Sequence, residues 1–552
     1  MKVNGDDRGA DSPSSARLSQ PSPMRNLSSA SGGLYVSAPG KIILFGEHAV
    51  VYGRTAIAGS IDLRTYVSLF TSADGRIYLS LPDLGVEKTW LLKDLIKAGD
   101  RLAAEYPVDD TQPPSLELLV PIARKLSGSC EDQCGVQHLA ILAFWYVLLG
   151  VAHRKSADKA AAIATGTIDA EADKMMDLLA VKTTVRFELP SCVGLGSSGA
   201  YCVCIVTSLL QSSGLIPPPS IVADAEGNLT WEDEHLDMIR KWSAAAESLI
   251  HGRASGLDAA VCTYGGVATF KPGTRIEHLK NLPDLRVILV NSKVERNTSR
   301  MVQTVKERMK RFPEVVDGVF HSIDAISREA AIILGKTAAS AENGDASTAA
   351  GGDPSTAPPT PLLNGGGGGE MDHRSLQPTS GSVRSASLSS YISTGKRDSC
   401  ASALSGCSTA TTARCELVDA FSRLNELCRM NNQLLIALGV GHPKVDQICT
   451  LLARYGIHPK MTGAGGGGSV FAFLKPDTPV TLLEMITAEL VKLGYEVWQP
   501  PLGGPGVIEH IRRPALFVTT ASGPLSGHAA STGGSAGGSG SSALSTPSLH
   551  HK

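Results

Sequence analysis

The sequence predicts an α+β protein with two domains, and three observations lead to this prediction. The chain has 552 residues, 42% of them hydrophobic, and one core seldom serves so long a chain. Stretches that alternate apolar and polar residues, as antiparallel strands do, are interspersed with stretches of helical spacing. The apolar run Leu285–Asn291 predicts a buried strand that opens the second domain. We therefore expect domains at 34–282 and 283–519.

The elements of the first domain start at residue 34. Residues 34–53 contain two short apolar runs that are interrupted by Pro-Gly and Gly-Glu-His. This pattern predicts a strand, a turn and a second strand. Apolar patterning then predicts the elements that follow in this domain. The predicted strands are 62–70, 76–81 and 183–189, and the predicted helices are 121–125, 137–149, 201–211 and 233–250.

The second domain continues from the strand at residues 285–291. Amphipathic spacing predicts one or two helices over 300–335 and further helices at 415–438 and 442–455. Residues 460–474 read as a strand, a glycine loop and a strand. Three stretches rich in Ser, Gly, Ala or Pro cannot bury enough apolar surface to fold, so we predict that they are disordered. They are the tails 1–33 and 520–552 and the insert 336–412.

Composition restricts the class of partner and the compartment. The 51 basic and 53 acidic residues leave a net charge of −2, which predicts neither nucleic acid nor a membrane surface as partner. The 11 cysteines form no C-x-x-C pair, as expected for a reducing compartment. The apolar run 139–151 is shorter than the roughly 20 residues that span a bilayer, so it predicts a core helix. We expect a soluble cytoplasmic protein without a signal peptide.

The glycine-rich stretch 190–200, P-S-C-V-G-L-G-S-S-G-A, lies between a predicted strand and a predicted helix. Its amides could surround a phosphate at the start of the helix, and its serines could reach a magnesium ion. G-L-G-S-S-G also fits a dinucleotide-binding turn, but the acidic residue and second parallel strand that this fold needs are missing from 213–225. A glycine-rich turn without a ligand is the third interpretation.

Three other stretches are candidates for a site, although the first two, taken alone, are more simply structural features. Lys41 follows a Pro-Gly pair, and Gly-Glu-His with His48 comes shortly after it. Glu247 on a helix precedes Asp258, and such a pair suits one metal ligand and one general base. Four consecutive glycines within 462–469, between apolar strands, indicate a close approach of the backbone to a partner.

Together these motifs resemble the mevalonate kinase family of the GHMP small-molecule kinase superfamily. The first superfamily motif corresponds to S-A-P-G-K-I-I-L-F-G-E-H-A-V-V-Y-G, the phosphate loop to V-G-L-G-S-S-G-A-Y, and the third motif to K-M-T-G-A-G-G-G-G-S. E-S-L-I-H-G-R-A-S-G-L-D-A-A-V and N-S-K-V-E-R-N-T are typical of mevalonate kinases. The resemblance extends over residues 34–510 apart from the insert.

The resemblance implies the GHMP fold, with an N-terminal domain like domain 2 of ribosomal protein S5, a ferredoxin-like C-terminal domain and the active site between them. It implies transfer of the γ-phosphoryl group of ATP to mevalonate, with Asp258 as the base and Lys41 beside it. Mg²⁺ would be held by Ser198 and Glu247, and mevalonate by Glu47, His48, Asp258 and Thr298. The implied ATP contacts are Lys41, Asp83, Cys192, Val193, Gly194, Leu195, Gly196, Ser197 and Ser198.

The chain departs from the family pattern at 191–193, at Gly199, where alanine is usual, and at Asp83, where asparagine is frequent. Other GHMP kinases, acting on phosphomevalonate, galactose or homoserine, are alternatives, as is a non-catalytic metabolite sensor of the same fold. The family also implies a homodimer. Lys41-Ile42 and His48-Ala49 loosely match a peroxisomal targeting pattern, which would add a peroxisomal pool, but their overlap with the site favours chemistry.

Overall fold

The computed structural model describes residue 27 and residues 32–109, 112–128, 135–166, 178, 180–190, 193–252, 254–279, 282, 284–345 and 409–518. At 336–345 and 409–416 it describes the backbone alone. Cys192 and most of the segments predicted to be disordered, 1–33, 336–412 and 520–552, lie outside the described residues.

Fifteen strands in the described part of the chain form one sheet. Its main path runs in the order β11-β12-β10-β14-β2-β1-β15-β7-β6, with the remaining strands paired beside it. The strands are β1 (Leu34–Phe45), β2 (Ala56–Ser72), β3 (Arg76–Leu81), β4 (Val86–Leu91), β5 (Ala180–Phe187), β6 (Ile221–Val222), β7 (Leu229–Thr230), β8 (Val267–Phe270), β9 (Glu277–Leu279), β10 (Leu285–Asn291), β11 (Lys460–Met461), β12 (Ser469–Leu474), β13 (Glu496–Trp498), β14 (Pro501–Leu502) and β15 (Ile508–Glu509).

Helices cover the sheet, and most of them coincide with the helices that apolar spacing predicts. They are α1 (Leu92–Glu105), α2 (Leu116–Ser127), α3 (Val136–Ala164), α4 (Ser197–Ser212), α5 (Asp233–His251), α6 (Leu257–Tyr264), α7 (Thr298–Arg311), α8 (Pro313–Asp345), α9 (Thr409–Ala437), α10 (Pro443–Ala453) and α11 (Val480–Lys492).

The antiparallel pair of β1 and β2 lies at the centre of the sheet. Its ladder runs from Leu34 opposite Leu69 to Phe45 opposite Ile57, with a register shift between Pro39 and Gly40. The predicted Pro-Gly turn within 34–53 is therefore wrong, because β1 continues through this pair as a bulge. Proline has no N–H to donate to the ladder, and a bulge is where a paired strand tolerates it.

Strands β10 and β12 separate two hydrophobic cores. In β10, Val287 and Leu289 belong to the core under α3 and α4, whereas Ile288 and Val290 belong to the core under α10 and α11. A strand buried on both faces has a continuous apolar sequence instead of an alternating one. This explains why residues 285–291 give so strong a signal for a buried strand.

Helix α3 contains the apolar run at 139–151 and confirms the prediction of a core helix there. By length and hydropathy α3 could cross a membrane, but 78% of its most apolar window is buried inside the fold. Phe144 and Tyr146 are completely buried in its central part. The apolar character of α3 therefore results from packing against the protein on nearly all sides.

Helices α8 and α9 flank the predicted insert and reach further into it than expected. Helix α8 continues to Asp345 and α9 begins at Thr409, so the ends of the predicted disordered segment 336–412 are helical. Residues 336–342, K-T-A-A-S-A-E, are mostly good helix formers. Adding such residues to an existing helix requires no new nucleation, so the helix extends past the last buried turn.

The residues up to Arg513 form one compact unit, and Pro514–Lys552 is separate from it. In this second unit the described residues contain one 3₁₀ turn at Ala515–Phe517. The division of the first unit into domains at 34–282 and 283–519 stays a prediction.

A buried arginine joins β15 and the preceding segment to the central strands. Arg64 is 4% exposed; its Nε donates to Oγ of Ser37 at 2.7 Å and its Nη2 to the carbonyl of Gly506 at 2.6 Å. Oγ of Ser37 also lies 2.8 Å from Nε2 of His510. Burial lowers the pKa of His510 to about 4, and the Arg64 guanidinium adds to this lowering.

This histidine should destabilise the protein in acid. The unfolded chain protonates His510 near its usual pKa of 6.5, whereas the folded chain resists protonation until about pH 4. Stability should therefore be complete above pH 6.5 and fall by about 2 kcal/mol from pH 6.5 to pH 5 through this group. We expect His510→Gln to remove this component, as measured by urea unfolding at pH 7 and pH 5. An identical acid loss in the variant would contradict the prediction.

Candidate active site

Lys41 is held on β1 immediately after the bulge. Its backbone N–H donates to the carbonyl of Leu195 at 2.8 Å, which joins β1 to the glycine-rich loop before α4. A Cβ on Gly40 would lie 2.8 Å from the same carbonyl, and one on Gly196 would lie 3.1 Å from Cβ of Lys41. Both glycines are therefore required because two backbones approach closely there.

Asp258 meets Lys41 in the centre of the site. The two residues form an ion pair of 2.7 Å between Nζ and Oδ1, with side-chain exposures of 6% for Lys41 and 27% for Asp258. Asp258 lies in the first turn of α6, which begins after Gly256 in a left-handed conformation. The helix N-terminus favours a negative charge at this position. The structure thus brings together the predicted base and the predicted lysine.

The glycine-rich loop before α4 leads directly into the N-terminus of that helix. Gly194 and Gly196 have φ values of +87° and +75°, and Gly196 is an N-cap without a side-chain hydrogen bond to the helix. The first-turn amides of α4 have no acceptor within the helix, so they can donate to an anion in front of it. Val193 and Leu195 also lie in the described part of this loop, and Ser197 is the first residue of α4.

The glycine at position 199 of α4 lies at a close contact between two helices. A Cβ added there would lie 3.1 Å from Cβ of Asp258 and 3.5 Å from Sγ of Cys262. Helix α4 therefore packs against α6 more closely at this point than a methyl group would comfortably allow. This contact is a local reason for glycine at position 199.

Ser198 and Glu247 meet on the other side of Asp258. Glu247 is 3% exposed, and the nearby Ser198 hydroxyl favours its charged form. Burial raises the pKa of Glu247 to about 8, and the negative charge of Asp258 adds to this rise. Oε2 of Glu247 is buried without a hydrogen-bond partner among the described residues. A buried carboxylate oxygen of this kind is suited to a cation.

His251, at the end of α5, also belongs to this cluster. Its Nε2 lies 2.8 Å from Oγ of Ser198. Burial lowers the pKa of His251; the negative charge of Asp258 opposes this shift, and the cations Lys41 and Arg296 add to it. The prediction of the site from sequence did not include this histidine, although the I-H-G triplet within the quoted motif contains it.

Glu47 and His48 lie where β1 ends, and both contact the segment 460–469. Glu47 forms a buried ion pair with Lys460, with exposures of 1% and 0%. Nε2 of His48 lies 2.8 Å from the carbonyl of Ala464, in the four-glycine loop. Burial raises the pKa of Glu47, and the Lys460 ammonium opposes this rise. Lys460 was not among the predicted site residues. The sequence feature that could have indicated it is a lysine in a short apolar strand.

Arg296 lies between the two glycine loops, and sequence reasoning assigned it no role. A Cβ on either Gly194 or Gly463 would overlap its guanidinium, and one on Gly468 would lie 3.5 Å from its Cδ. Burial lowers the pKa of His48, and the charge of Arg296 lowers it further. The glycines of both loops therefore leave room for the guanidinium group of Arg296.

Two other predicted residues lie at the edges of this arrangement. Thr298 is the first residue of α7, whose N-cap Asn297 accepts a hydrogen bond from the amide of Arg300 at 2.9 Å. Oδ2 of Asp83 accepts from the Nε of Arg186 at 3.0 Å and from the amide of Phe187 at 2.9 Å. Asp83 thus holds the end of β5, from which the chain enters the glycine loop. The role of Asp83 toward the nucleotide stays a prediction.

The sheet topology decides against the dinucleotide interpretation. Strand β5 pairs with β2 in antiparallel orientation. After α4 the chain forms β6, a two-residue strand that pairs antiparallel with β7. A dinucleotide fold would instead place a second parallel strand beside β5 after this helix. The described residues contain no such strand there.

Comparisons with known proteins show which chains are similar to this one. A family model described as GHMP kinases C terminal matches residues 417–492. Mevalonate kinase from Bos taurus is 32% identical over 477 residues, which is 86% of this chain and 95% of that protein. Mevalonate kinase from Homo sapiens has the same identity and coverage. The crystal structure of the Methanococcus jannaschii mevalonate kinase, 18% identical, covers 85% of this chain and 98% of that chain with a TM-score of 0.49.

Proposed function

The chain belongs to the mevalonate kinase family of the GHMP kinases, and from this membership we propose that it phosphorylates mevalonate at the C5 hydroxyl. ATP supplies the γ-phosphoryl group, and the products are 5-phosphomevalonate and ADP. The observation that carries the proposal is the 2.7 Å pair of Lys41 and Asp258 beside the open N-terminus of α4.

Asp258 acts as the general base in this proposal. One of its oxygens holds Lys41, and its partial exposure of 27% leaves it accessible to a substrate hydroxyl. It accepts the proton of the C5 hydroxyl as that oxygen attacks the γ-phosphorus. Lys41 lowers the cost of the negative charge on both groups, since phosphoryl transfer depends mainly on positioning and charge neutralisation.

The phosphates of ATP lie along 192–198 at the N-terminus of α4 in the same proposal. The residue types there, two glycines and two serines, allow the backbone amides to face the anion. Asp83 acts at the nucleotide through the end of β5, where it already holds Arg186 and Phe187. Glu47, His48 and Thr298 contact or position mevalonate, and Lys460 holds Glu47 in place.

The residues at Ser198 and Glu247 fit a magnesium ion. The unpartnered buried Oε2 of Glu247 is the observation that supports this fit. The described residues hold no group of three or more His, Cys, Asp or Glu suited to a metal, but Mg²⁺ commonly takes one or two protein ligands and completes its shell with phosphates and water. When bound, Mg²⁺ would neutralise charge on the phosphates of ATP.

Glu247→Gln should weaken Mg²⁺ binding by at least about tenfold, because an amide oxygen replaces a carboxylate. The variant should stay folded, since the amide has the shape of the carboxyl group and burial already disfavours the charged form of Glu247. Isothermal titration of Mg²⁺ into the enzyme with a non-hydrolysable ATP analogue measures the effect without turnover. Glu234→Gln is the matched control because Glu234 lies on the same helix and is 82% exposed. Equal Mg²⁺ affinity of both variants would remove Glu247 from the metal site.

A coupled ADP-release assay tests the reaction itself. We expect ADP release with mevalonate and not with galactose, homoserine or phosphomevalonate. Release with one of the other substrates would assign the chain to a different GHMP activity. Binding of mevalonate without any ADP release would favour the non-catalytic sensor.

Two further expectations concern the protein in the cell. We infer a homodimer, which sedimentation velocity tests directly. We also infer a cytoplasmic location, with any peroxisomal pool visible by fractionation. Neither the reaction nor the site depends on them.

A further inference from the structure

The connection between β1 and β2, residues 46–55, carries Glu47 and His48 and is called the substrate loop below. Three of its residues, Gly46, His48 and Gly53, have φ values of +98°, +59° and +80°. A left-handed conformation is unfavourable for a residue with a side chain, so His48 must be held in place by its surroundings. The inner side of the loop is held by Ala464 and Lys460.

The outer side of the substrate loop is held by helix α8. The amide of Thr55 donates to Oδ1 of Asp324 at 2.8 Å. Nη2 of Arg54 pairs with Oδ1 of Asp317 at 2.8 Å. The ring of Tyr52 stacks on Phe320 with centroids 4.5 Å apart.

These three residues of α8 form one stripe. Asp317, Phe320 and Asp324 are spaced by three and four positions, which places them on a single face of the helix. The Asp324 side chain is 15% exposed and is also paired with Arg328 at 3.0 Å. The side of α8 that faces the substrate loop therefore contacts it through three groups in a row, a carboxylate, an aromatic ring and a second carboxylate.

We propose that this face of α8 is a positioning element that keeps the substrate loop in its mevalonate-binding conformation, with Asp324 as the principal residue. The inference rests on the proposed roles of Glu47 and His48. None of the three α8 residues is placed at ATP, at the metal or beside Asp258. When a loop is competent only part of the time, the apparent dissociation constant rises by the inverse of the competent fraction. Loss of the α8 contacts therefore weakens mevalonate binding and leaves ATP binding and saturated turnover nearly unchanged.

Asp324→Ala and Asp324→Asn separate the hydrogen bond from the charge. Alanine removes the acceptor of the Thr55 amide, whereas asparagine keeps an oxygen acceptor of the same length. We expect Asp324→Ala to raise the Kd of mevalonate about five- to tenfold, a typical effect of losing one such hydrogen bond. Asp324→Asn should stay within about twofold of the wild type. Titration calorimetry of mevalonate without nucleotide measures both, and steady-state kinetics gives the KM for each substrate and kcat.

Glu329→Ala is the matched control. Glu329 lies on the same helix and pairs with Arg423 of α9 at 2.5 Å, with both side chains about half exposed. The Glu329→Ala substitution removes a charge and an ion pair from α8 at a residue that has no contact with the substrate loop. We expect wild-type binding of both substrates. If Glu329→Ala weakens mevalonate binding as much as Asp324→Ala, the effect comes from the helix in general and the proposal is wrong.

Other outcomes also decide the question. A wild-type mevalonate Kd in folded Asp324→Ala overturns the proposal, as does an equal loss of ATP affinity. If Asp324→Ala does not fold, Arg54→Gln replaces it, since Arg54 and Asp317 are 25% and 42% exposed; we then expect a two- to threefold rise in the mevalonate Kd, about the value of one surface ion pair. An unchanged Kd there also overturns it. Failure of the wild type itself to bind mevalonate would instead refute the proposed function.

Discussion

Asp258→Asn is expected to lower kcat by about 10²–10⁴-fold, the usual contribution of a positioned general base. Asparagine keeps the shape of the side chain but cannot take the proton of the C5 hydroxyl. It also leaves Lys41, whose side chain is 6% exposed, without a negatively charged partner. Asp258→Ala should likewise lose nearly all turnover. Single-turnover measurements of phosphoryl transfer report the chemical step directly.

The control for this prediction is Asp237→Asn. Asp237 lies on α5, pairs with Arg240 and Lys241, and is 39% exposed, so its loss should not change kcat. Circular dichroism and the affinity for ATP show whether each variant is folded. Normal turnover in a folded Asp258→Asn or Asp258→Ala variant would contradict the assignment of Asp258 as the base.

Lys460→Met is expected to destabilise the protein by about 3–5 kcal/mol. Lys460 and Glu47 are both buried and form an ion pair, and Nζ of Lys460 also donates to the carbonyl of Met461 at 2.9 Å. Removing the lysine leaves a carboxyl group in the core without its cation, and the second oxygen of Glu47 already lacks a partner among the described residues. Guanidinium unfolding at pH 7 measures the loss.

The double variant Glu47→Gln with Lys460→Met distinguishes the pair from its two members. Removing both charges avoids the uncompensated carboxylate, so most of the lost stability should return. Mevalonate binding should not return, because Glu47 is proposed to act at the substrate. If the free energy of unfolding of Lys460→Met lies within about 1 kcal/mol of the wild-type value, the two residues do not form a strongly coupled buried ion pair.

Much of the secondary structure is predictable because its signal is local. The apolar run at 285–291 coincides with β10, and the helical spacing at 233–250 with α5, which ends one residue later. The Pro-Gly pair before Lys41 shows where local signals mislead. Taken alone it favours a turn, but the pairing of β1 with β2 continues through it and converts it into a bulge.

The candidate site is predictable in part for a different reason. The resemblance to the mevalonate kinase family identified Lys41, Glu247 and Asp258, and the structure brings them together. It did not identify Arg296 or Lys460 as parts of the site. Arg296 is recognisable only because glycines from two distant loops surround its side chain.

By itself the sequence determined many of the helices and strands, the family and the residue types of the site, since periodicity and motifs are properties of neighbouring residues. The tertiary structure alone decided which distant residues meet: Lys460 with Glu47, 413 positions away, and His48 with Ala464 across 416 positions. It also decided that α8 supports the loop that carries Glu47 and His48. Partners across such distances are selected by packing of the whole sheet and both cores, and no local pattern records that choice.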